Sequence, residues 1–240
     1  MPRFFYPLPL AIGEQVTLPD TVAHHCHVLR LNPGDTIVLF NGTGGSYVAS
    51  LTSIDKKRAA AEVKTFDSSE VELPYAITLA QALPESSKMD WIIEKAIELG
   101  AAGIQPLAAQ RCVMRLSGER AEKRRLHWQG VIESASEQCG RNRLAQLGEV
   151  SDFKQWIAQQ DMHKRLFLSP RAEHSLADWV KHHPAQALTI MIGPEGGFSE
   201  QEEQLALQHG AIPLSMGSRV LRTETAGLAA LASITALWGG

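Results

Sequence analysis

The stretch "LTIMIGPEGGFSEQE", from Leu188 to Glu202, joins two local grammars. Leu188, Ile190, Met191 and Ile192 make the short apolar run of a strand buried on both faces of a parallel sheet. Gly193, Pro194, Glu195, Gly196 and Gly197 then break it. Ser199 followed three residues later by Glu202 matches a capping box, which predicts a helix starting there. Residues 193–198 therefore form a strand-to-helix loop at the carboxyl end of a sheet, where open α/β folds place their ligands. Three glycines let a backbone approach a flat or bulky ligand closely. The plain alternative is that they only make a turn.

The chemistry of this loop limits what it can hold. It lacks the Gly-Lys-Ser/Thr ending of a P-loop and the spacing of a dinucleotide fingerprint. Pro194 removes an amide donor, and Glu195 puts negative charge where a triphosphate would need positive charge. A ligand with ribose hydroxyls, an adenine ring and a positive centre fits better than a polyanion. A second stretch repeats the arrangement: "AIPLSM" reads as a strand, "GSRVLRTETA" as a loop, and "GLAALASITALW" as an apolar helix. Gly217 ends the strand, and Thr223 or Thr225 is the expected helix cap. Two glycine-bearing loops from neighbouring parallel strands would face one another across a crevice.

Outward from these loops, the chain divides. "DTIVLF", "SYVASLTSI" and "AAAEVKTF" are short strand-like runs, the first two joined by the turn sequence "NGTGG". Several such strands in about 70 residues predict a small β-barrel, residues 1–70. "DSSEVELP" (67–74) is polar, acidic and ends in proline, and reads as a linker. From residue 75 to 240 strands alternate with helices: "AITLAQAL", the turn "PESS", the amphipathic "KMDWIIEKAIELG", "GIQPL", a long helix over 119–139, "RLFLS", and the two strand-loop-helix units above. That alternation predicts a mostly parallel sheet covered on both faces.

Composition narrows the class further. With 44% hydrophobic and 20% charged residues, the chain reads as an ordinary globular protein. Its longest apolar runs fall short of a membrane span. The start, "MPRFFYPLPLAIGEQ", makes a poor signal peptide. Cys26, Cys112 and Cys139 form no Cys-x-x-Cys pair and read as reduced thiols in a cytoplasmic protein. A formal charge of −3 argues against indiscriminate coating of nucleic acid but leaves room for a local basic face.

"IGPEGGFSEQE" followed by "MGSRVLRTETA", together with "HVLRLNPGDTIVLFNG", "KMDWIIEKAIELG", "IQPL…QRCV" and "ESASEQCGRNR", resembles the RsmE family of ribosomal RNA uridine methyltransferases in the SPOUT superfamily. The likeness spans most of the chain. It implies S-adenosyl-L-methionine as methyl donor, an N-terminal PUA-like RNA-binding barrel, a C-terminal SPOUT-type trefoil knot and a homodimer. It also implies methylation of N3 of one uridine in 16S ribosomal RNA or the small ribosomal subunit. Carried over by position, the donor pocket would comprise Ile192, Gly193, Gly197, Leu214, Met216, Gly217, Val220, Leu221 and Thr225. Arg222 and Glu224 are the catalytic candidates.

Each candidate has a plainer alternative. Arg222 orients the uracil or stabilises charge on its carbonyls, or else is a surface arginine paired with Glu224. Glu224 could serve the chemistry, yet an acid in the first turn of a helix is already explained by the helix dipole. Arg30, Lys88, Arg141 and Arg143 are the RNA-contact candidates, the last two as a clamp after a helix ending at Gly140. "KKR" (56–58) and "EKRRLH" (122–127) read as solvated faces. "HHCH" (24–27) reads as surface histidines of the barrel; no metal site is expected. Methyl transfer to an imide nitrogen needs its proton removed and the resulting charge on the flanking carbonyls stabilised; the proton acceptor is left open. The rival readings are a non-catalytic RNA-binding protein and an α/β enzyme using NAD or ATP.

Overall fold

The structure is a computed structural model that describes residues 1–55, 58–85, 88–159 and 162–239. Lys56 and Lys57 of the basic turn, and Ser86 and Ser87 of "PESS", lie outside the described residues. In chain order the first elements are β1 (Arg3–Phe5), β2 (Gln15–Thr17), α1 (Asp20–Val28), β3 (Thr36–Phe40), β4 (Ser46–Ile54) and β5 (Ala59–Asp67). They are followed by β6 (Ile77–Ala82), α2 (Lys88–Glu98), β7 (Gly103–Ala108), α3 (Gly118–Cys139), β8 (Gln146–Leu147), β9 (Ser151–Asp152) and α4 (Phe153–Ile157). The last are β10 (Lys164–Leu168), α5 (Leu176–His182), β11 (Leu188–Ile192), α6 (Glu200–Gln208), β12 (Ile212–Leu214) and α7 (Thr223–Trp238).

Two compact units emerge, residues 1–72 with 133–144, and residues 73–132 with 145–240. The first holds a five-stranded sheet in the order β1-β3-β4-β5-β2, parallel only between β1 and β3. β5 begins with alternating burial while β3 is buried at four successive positions, and Phe4, Ile37, Leu39, Ala49, Leu51, Ala61 and Val63 form the core with Ala23 and Cys26 of α1. The turn joining β3 to β4 uses glycine for a physical reason. Gly42, Gly44 and Gly45 all have positive φ, and the Asn41 carboxamide oxygen accepts from the Thr43 amide at 3.2 Å.

The "HHCH" histidines are at the surface, as expected, and they sit on a helix: α1 carries exposed His24, His25 and His27 around the fully buried Cys26. Among the described residues no cluster of potential metal ligands occurs. The stretch 67–74, expected as a linker, contains the boundary between the two units after Glu72, and its first part is fastened within the first unit: Glu70 accepts from the Gly45 amide at 2.8 Å and Glu72 grips Arg141. Finally, residues 133–144, expected within the α/β part, join the first unit. Arg141 makes a bidentate pair with Glu72, Asn142 accepts from Arg3 at 2.6 Å, and Glu137 accepts from the Phe5 amide at 2.8 Å. These polar links tie the segment to its unit.

The second unit is a parallel sheet in the order β12-β10-β11-β6-β7-β8, with β9 also paired to β7. Its middle strands are buried almost throughout, as the apolar runs demand. α2 buries Met89, Ile92, Ile93, Ala96 and Ile97 on one face, the helical spacing read from sequence. α7 packs on α2 and α5 and over β6 and β11. Among the described residues no helix is long and apolar enough to cross a membrane. Cys26, Cys112 and Cys139 form no disulfide among the described residues, and burial pushes the Cys26 thiol up to about 11.

Arg30 follows α1 with φ 57°, and its amide donates to the His27 carbonyl at 3.0 Å. This is the left-handed helix-ending position where glycine is at home, and an L side chain there costs about 1 kcal/mol. Arg30→Gly is therefore expected to stabilise the protein by roughly 1 kcal/mol in urea unfolding. A destabilised variant would show that the Arg30 side chain holds the fold.

Candidate functional site

The carboxyl ends of β10, β11 and β12 meet the start of α7 around a cavity of about 390 Å³, within the range of small-molecule sites. Four segments line it. They are residues 168–170 after β10, residues 192–195 with Gly197 after β11, residues 216–217 and 219–222 after β12, and Thr223, Glu224 and Ala226 of α7, with Lys88 completing the rim. The capping box holds the helix after the first glycine loop: the Ser199 hydroxyl accepts from the Glu202 amide, and Glu202 Oε2 accepts from the Ser199 amide at 2.9 Å.

The loop and helix are joined by buried polar contacts. Gln81, fully buried at the end of β6, donates its Nε2 to the Thr223 hydroxyl at 2.9 Å and to the Ala82 carbonyl. That hydroxyl donates in turn to the Gly193 carbonyl at 2.6 Å. Thr223 thus fastens the first residue of the glycine loop to the head of α7. The expected role of Thr223 or Thr225 as a cap is corrected by this geometry. Arg222 occupies the N-cap position without a side-chain cap bond, and the Thr223 hydroxyl is spent on the relay.

Glycine is required at both ends of the loop, for opposite reasons. A Cβ on Gly193 would lie 2.8 Å from the Phe198 amide nitrogen, because the chain folds back on itself there. Gly197 has φ 67°, lines the cavity, and a Cβ on it would meet no other atom. The space beside Gly197 is open, so the cavity is shaped for close approach to backbone. This backbone-lined and apolar wall suits an adenosine bearing a sulfonium, and among the lining residues no Gly-Lys-Ser/Thr phosphate cradle is present.

Of the expected donor contacts, Ile192, Gly193, Gly197, Met216, Gly217, Val220 and Leu221 all line the cavity. Two fall outside it. Leu214 is fully buried in the core, its carbonyl accepting from the Ser169 amide at 3.0 Å, and Thr225 is exposed on the first turn of α7. Leu168, Ser169 and Pro170 belong to the wall and were missed; a third loop following the strand-like "RLFLS" was the available signal. Gln81 was also missed, although a lone polar residue inside "AITLAQAL" marks a spot where a buried strand needs a hydrogen-bond partner.

The charged groups divide between the rim and the other unit. Arg222 and Glu224 both line the cavity. The Arg222 side chain is 83% exposed and its guanidinium stands 4.0 Å from Glu224 Oε1, so it remains available. Lys88, expected to contact RNA, instead lies in the wall and donates to Glu195 Oε1 at 2.7 Å. Its Nζ is 3.7 Å from Glu224 Oε2, a buried oxygen with no hydrogen-bond partner among the described residues. Burial pushes the Glu195 carboxyl up, but hydrogen bonds from Lys88 and the Glu85 amide outweigh it and hold the group below its ordinary value. The hydrogen bond to Glu195 likewise raises Lys88. Arg141 is only 4% exposed and bound to Glu72, which removes it from any phosphate-facing set. Arg143 has a 56% exposed side chain 3.4 Å from Glu70, and Arg30 is exposed.

Comparison with known proteins decides what kind of site this is. Residues 71–235 match the model of an RNA methyltransferase domain, and residues 18–64 match an RNA methyltransferase PUA domain. The ribosomal RNA small subunit methyltransferase E of Bacillus subtilis (strain 168) is 33% identical, over 98% of this chain and 96% of its own. The chain belongs to the ribosomal RNA small subunit methyltransferase E family. Among solved structures, that of the family member from Neisseria gonorrhoeae bound to S-adenosyl methionine is 41% identical with a TM-score of 0.94, covering 99% of this chain and 98% of the other. A methyltransferase from Legionella pneumophila, in complex with the same cofactor, is 34% identical with a TM-score of 0.92, covering 98% and 96%. The α/β methyltransferase fold with an N-terminal PUA-like domain is thereby shown for this chain.

The relay and the ion pair give separate predictions. Thr223→Val leaves the Gly193 carbonyl without its donor and should cost about 1–3 kcal/mol of stability, while Thr223→Ser should restore most of it. Equal stability of all three proteins would remove the relay from the account. The depressed Glu195 contributes stability above the ordinary carboxylate range and loses it as pH falls through its lowered value. The raised Lys88 loses its contribution only as pH climbs past the ordinary lysine value, so the link holds across neutral pH. NMR titration of the Glu195 carboxyl should give a midpoint below 4.5, moving upward in Lys88→Met. An unmoved midpoint would contradict the pairing.

Proposed function

We propose that this protein is an S-adenosyl-L-methionine-dependent methyltransferase that modifies N3 of a uridine in 16S ribosomal RNA of the small subunit. The observation that carries this reading is the glycine-lined cavity with Arg222 and Glu224 on one rim, in a chain of the ribosomal RNA small subunit methyltransferase E family. The donor supplies an activated methyl group on a sulfonium. Ile192, Gly193, Gly197, Met216, Gly217, Val220 and Leu221 hold it through backbone groups and apolar contact, which read adenine and ribose without a phosphate signature. Glu195 beside a positive centre is favourable in sign.

Arg222 and Glu224 divide the chemistry. The imide proton of uracil passes to the Glu224 carboxylate, and the Arg222 guanidinium holds the charge left on the flanking carbonyl oxygens. Lys88 stays protonated between Glu195 and Glu224 and neutralises charge at the base of the rim. The RNA surface of the first unit uses Arg30 and Arg143, both exposed, as phosphate contacts. A homodimer covers the outer face of α7, where Ala232, Ala236 and Leu237 remain exposed, and the protein acts in the cytoplasm.

Calorimetry with S-adenosylhomocysteine tests the donor site, with ATP and NAD as controls. The wild type should bind S-adenosylhomocysteine alone, and Gly197→Ala should weaken it because the methyl group enters the open space. Binding of ATP or NAD instead would return the chain to another cofactor class. Arg222→Ala should keep donor affinity and lose methyl transfer on the order of a hundredfold, as removal of one charge-stabilising donor does. A wild-type rate at saturating RNA would move the chemistry elsewhere on the rim. In Arg30→Gly with Arg143→Ala, RNA affinity should fall and the salt slope should drop by roughly 1 per lost phosphate contact. An unchanged slope would make both residues ordinary surface arginines. Sedimentation at micromolar concentration reads the dimer, and a monomer would exclude it.

A further inference from the structure

The glycine loop has two sides. Gly193, Pro194, Glu195 and Gly197 line the cavity, whereas Gly196 and Phe198 do not. The carbonyls of those two outward residues are both taken by one side chain from the loop after β7. Arg111 donates its Nη1 to Gly196 O at 2.7 Å and to Phe198 O at 3.2 Å. Among the described residues Arg111 makes no ion pair, so its charge is directed at these two carbonyls. A second tether runs beside it: the Gln110 amide donates at 2.7 Å to Oε1 of Glu202, the buried acid of the capping box. The contact is close as well as polar, since a Cβ on Gly196 would lie 3.3 Å from Arg111 Cδ.

From this geometry we infer that Arg111 is a positioning residue for the methyl donor, clamping the outer carbonyls of the glycine loop so that Gly197 faces the cavity before the donor arrives. The inference rests on the donor cavity being the one proposed above. Every other hold on the loop acts on a different atom. Thr223 takes the Gly193 carbonyl, the Gly197 amide takes the Pro194 carbonyl at 2.8 Å, and Lys88 takes the Glu195 carboxylate. Without Arg111 the carbonyls of Gly196 and Phe198, the residues on either side of Gly197, lose their outer partner, and the Gly196-Gly197 pair gives the chain freedom to turn. The loop must then be ordered by the ligand, which reduces affinity by the fraction of time the binding geometry is populated. Both bonds come from one nitrogen, Nη1, at the end of the arginine side chain. A lysine ammonium carries enough donors but sits one bond nearer the backbone and falls short of that position.

The test is calorimetry of S-adenosylhomocysteine against wild type, Arg111→Ala, Arg111→Lys, Gly196→Ala and the Arg111→Ala/Gly196→Ala double variant, with melting of each ligand-free protein. Arg111→Ala should weaken binding by about tenfold, in line with loss of a charged hydrogen bond, with only a small change in melting. KM for the donor should rise more than kcat falls, and Arg111→Lys should recover little. Gly196→Ala, which crowds the Arg111 stem, should weaken binding in the wild-type background but add nothing in Arg111→Ala. Wild-type affinity in a folded Arg111→Ala overturns the inference, as does full additivity of the two substitutions. If wild type itself fails to bind S-adenosylhomocysteine, the donor reading fails and Arg111 is not the cause.

Discussion

The 2.6 Å hydrogen bond from the Thr223 hydroxyl to the Gly193 carbonyl is the contact on which the site depends. It joins two loops that leave different strands, and it is backed by Gln81 in the floor of the sheet. Even a part-buried carbonyl is costly to leave without a donor, so the start of the glycine loop and the head of α7 are coupled. The cavity is the space left between them.

The remaining polar contacts extend the same constraint along the loop. Carbonyls 193, 194, 196 and 198 are each engaged, by Thr223, the Gly197 amide and Arg111. The Glu195 carboxylate is held by Lys88 and the Glu85 amide, and the helix that follows is locked by Ser199 and Glu202. A segment rich in glycine is expensive to order. Here the ordering cost is met within the fold, leaving Gly197 open to a ligand and the Arg222 guanidinium largely in solvent at the rim.

How much of this was legible in the sequence varied with the range of the interaction. Leu188–Ile192 and the Ser199–Glu202 box are local patterns, and β11 and α6 follow them. The paired glycine loops could be read because parallel sheets gather their ligands at one end. Long-range pairings left no local trace. Nothing around Arg141 announces that its partner is Glu72, so it reads as an exposed clamp although it is buried. α1 was not recognised because "HHCH" has no apolar helical stripe strong enough to declare itself, and only Val22, Ala23 and Cys26 face inward. Thr223 was recognised as important for the wrong bond: a helix-start threonine reads as a cap, while this one reaches back thirty residues to the loop. Arg111 sat in plain view within "QRCV", but its two acceptors lie 85 and 87 residues away.

The central claim is that the glycine loop is already formed in the ligand-free protein. Amide hydrogen exchange at Gly197 and Ser199 measures it most directly, because their N–H groups are bound to the Pro194 carbonyl and the Glu202 carboxylate. The account predicts slow exchange at both without ligand, and little further slowing when S-adenosylhomocysteine is added. Free exchange at both amides that is arrested only on ligand addition would contradict it.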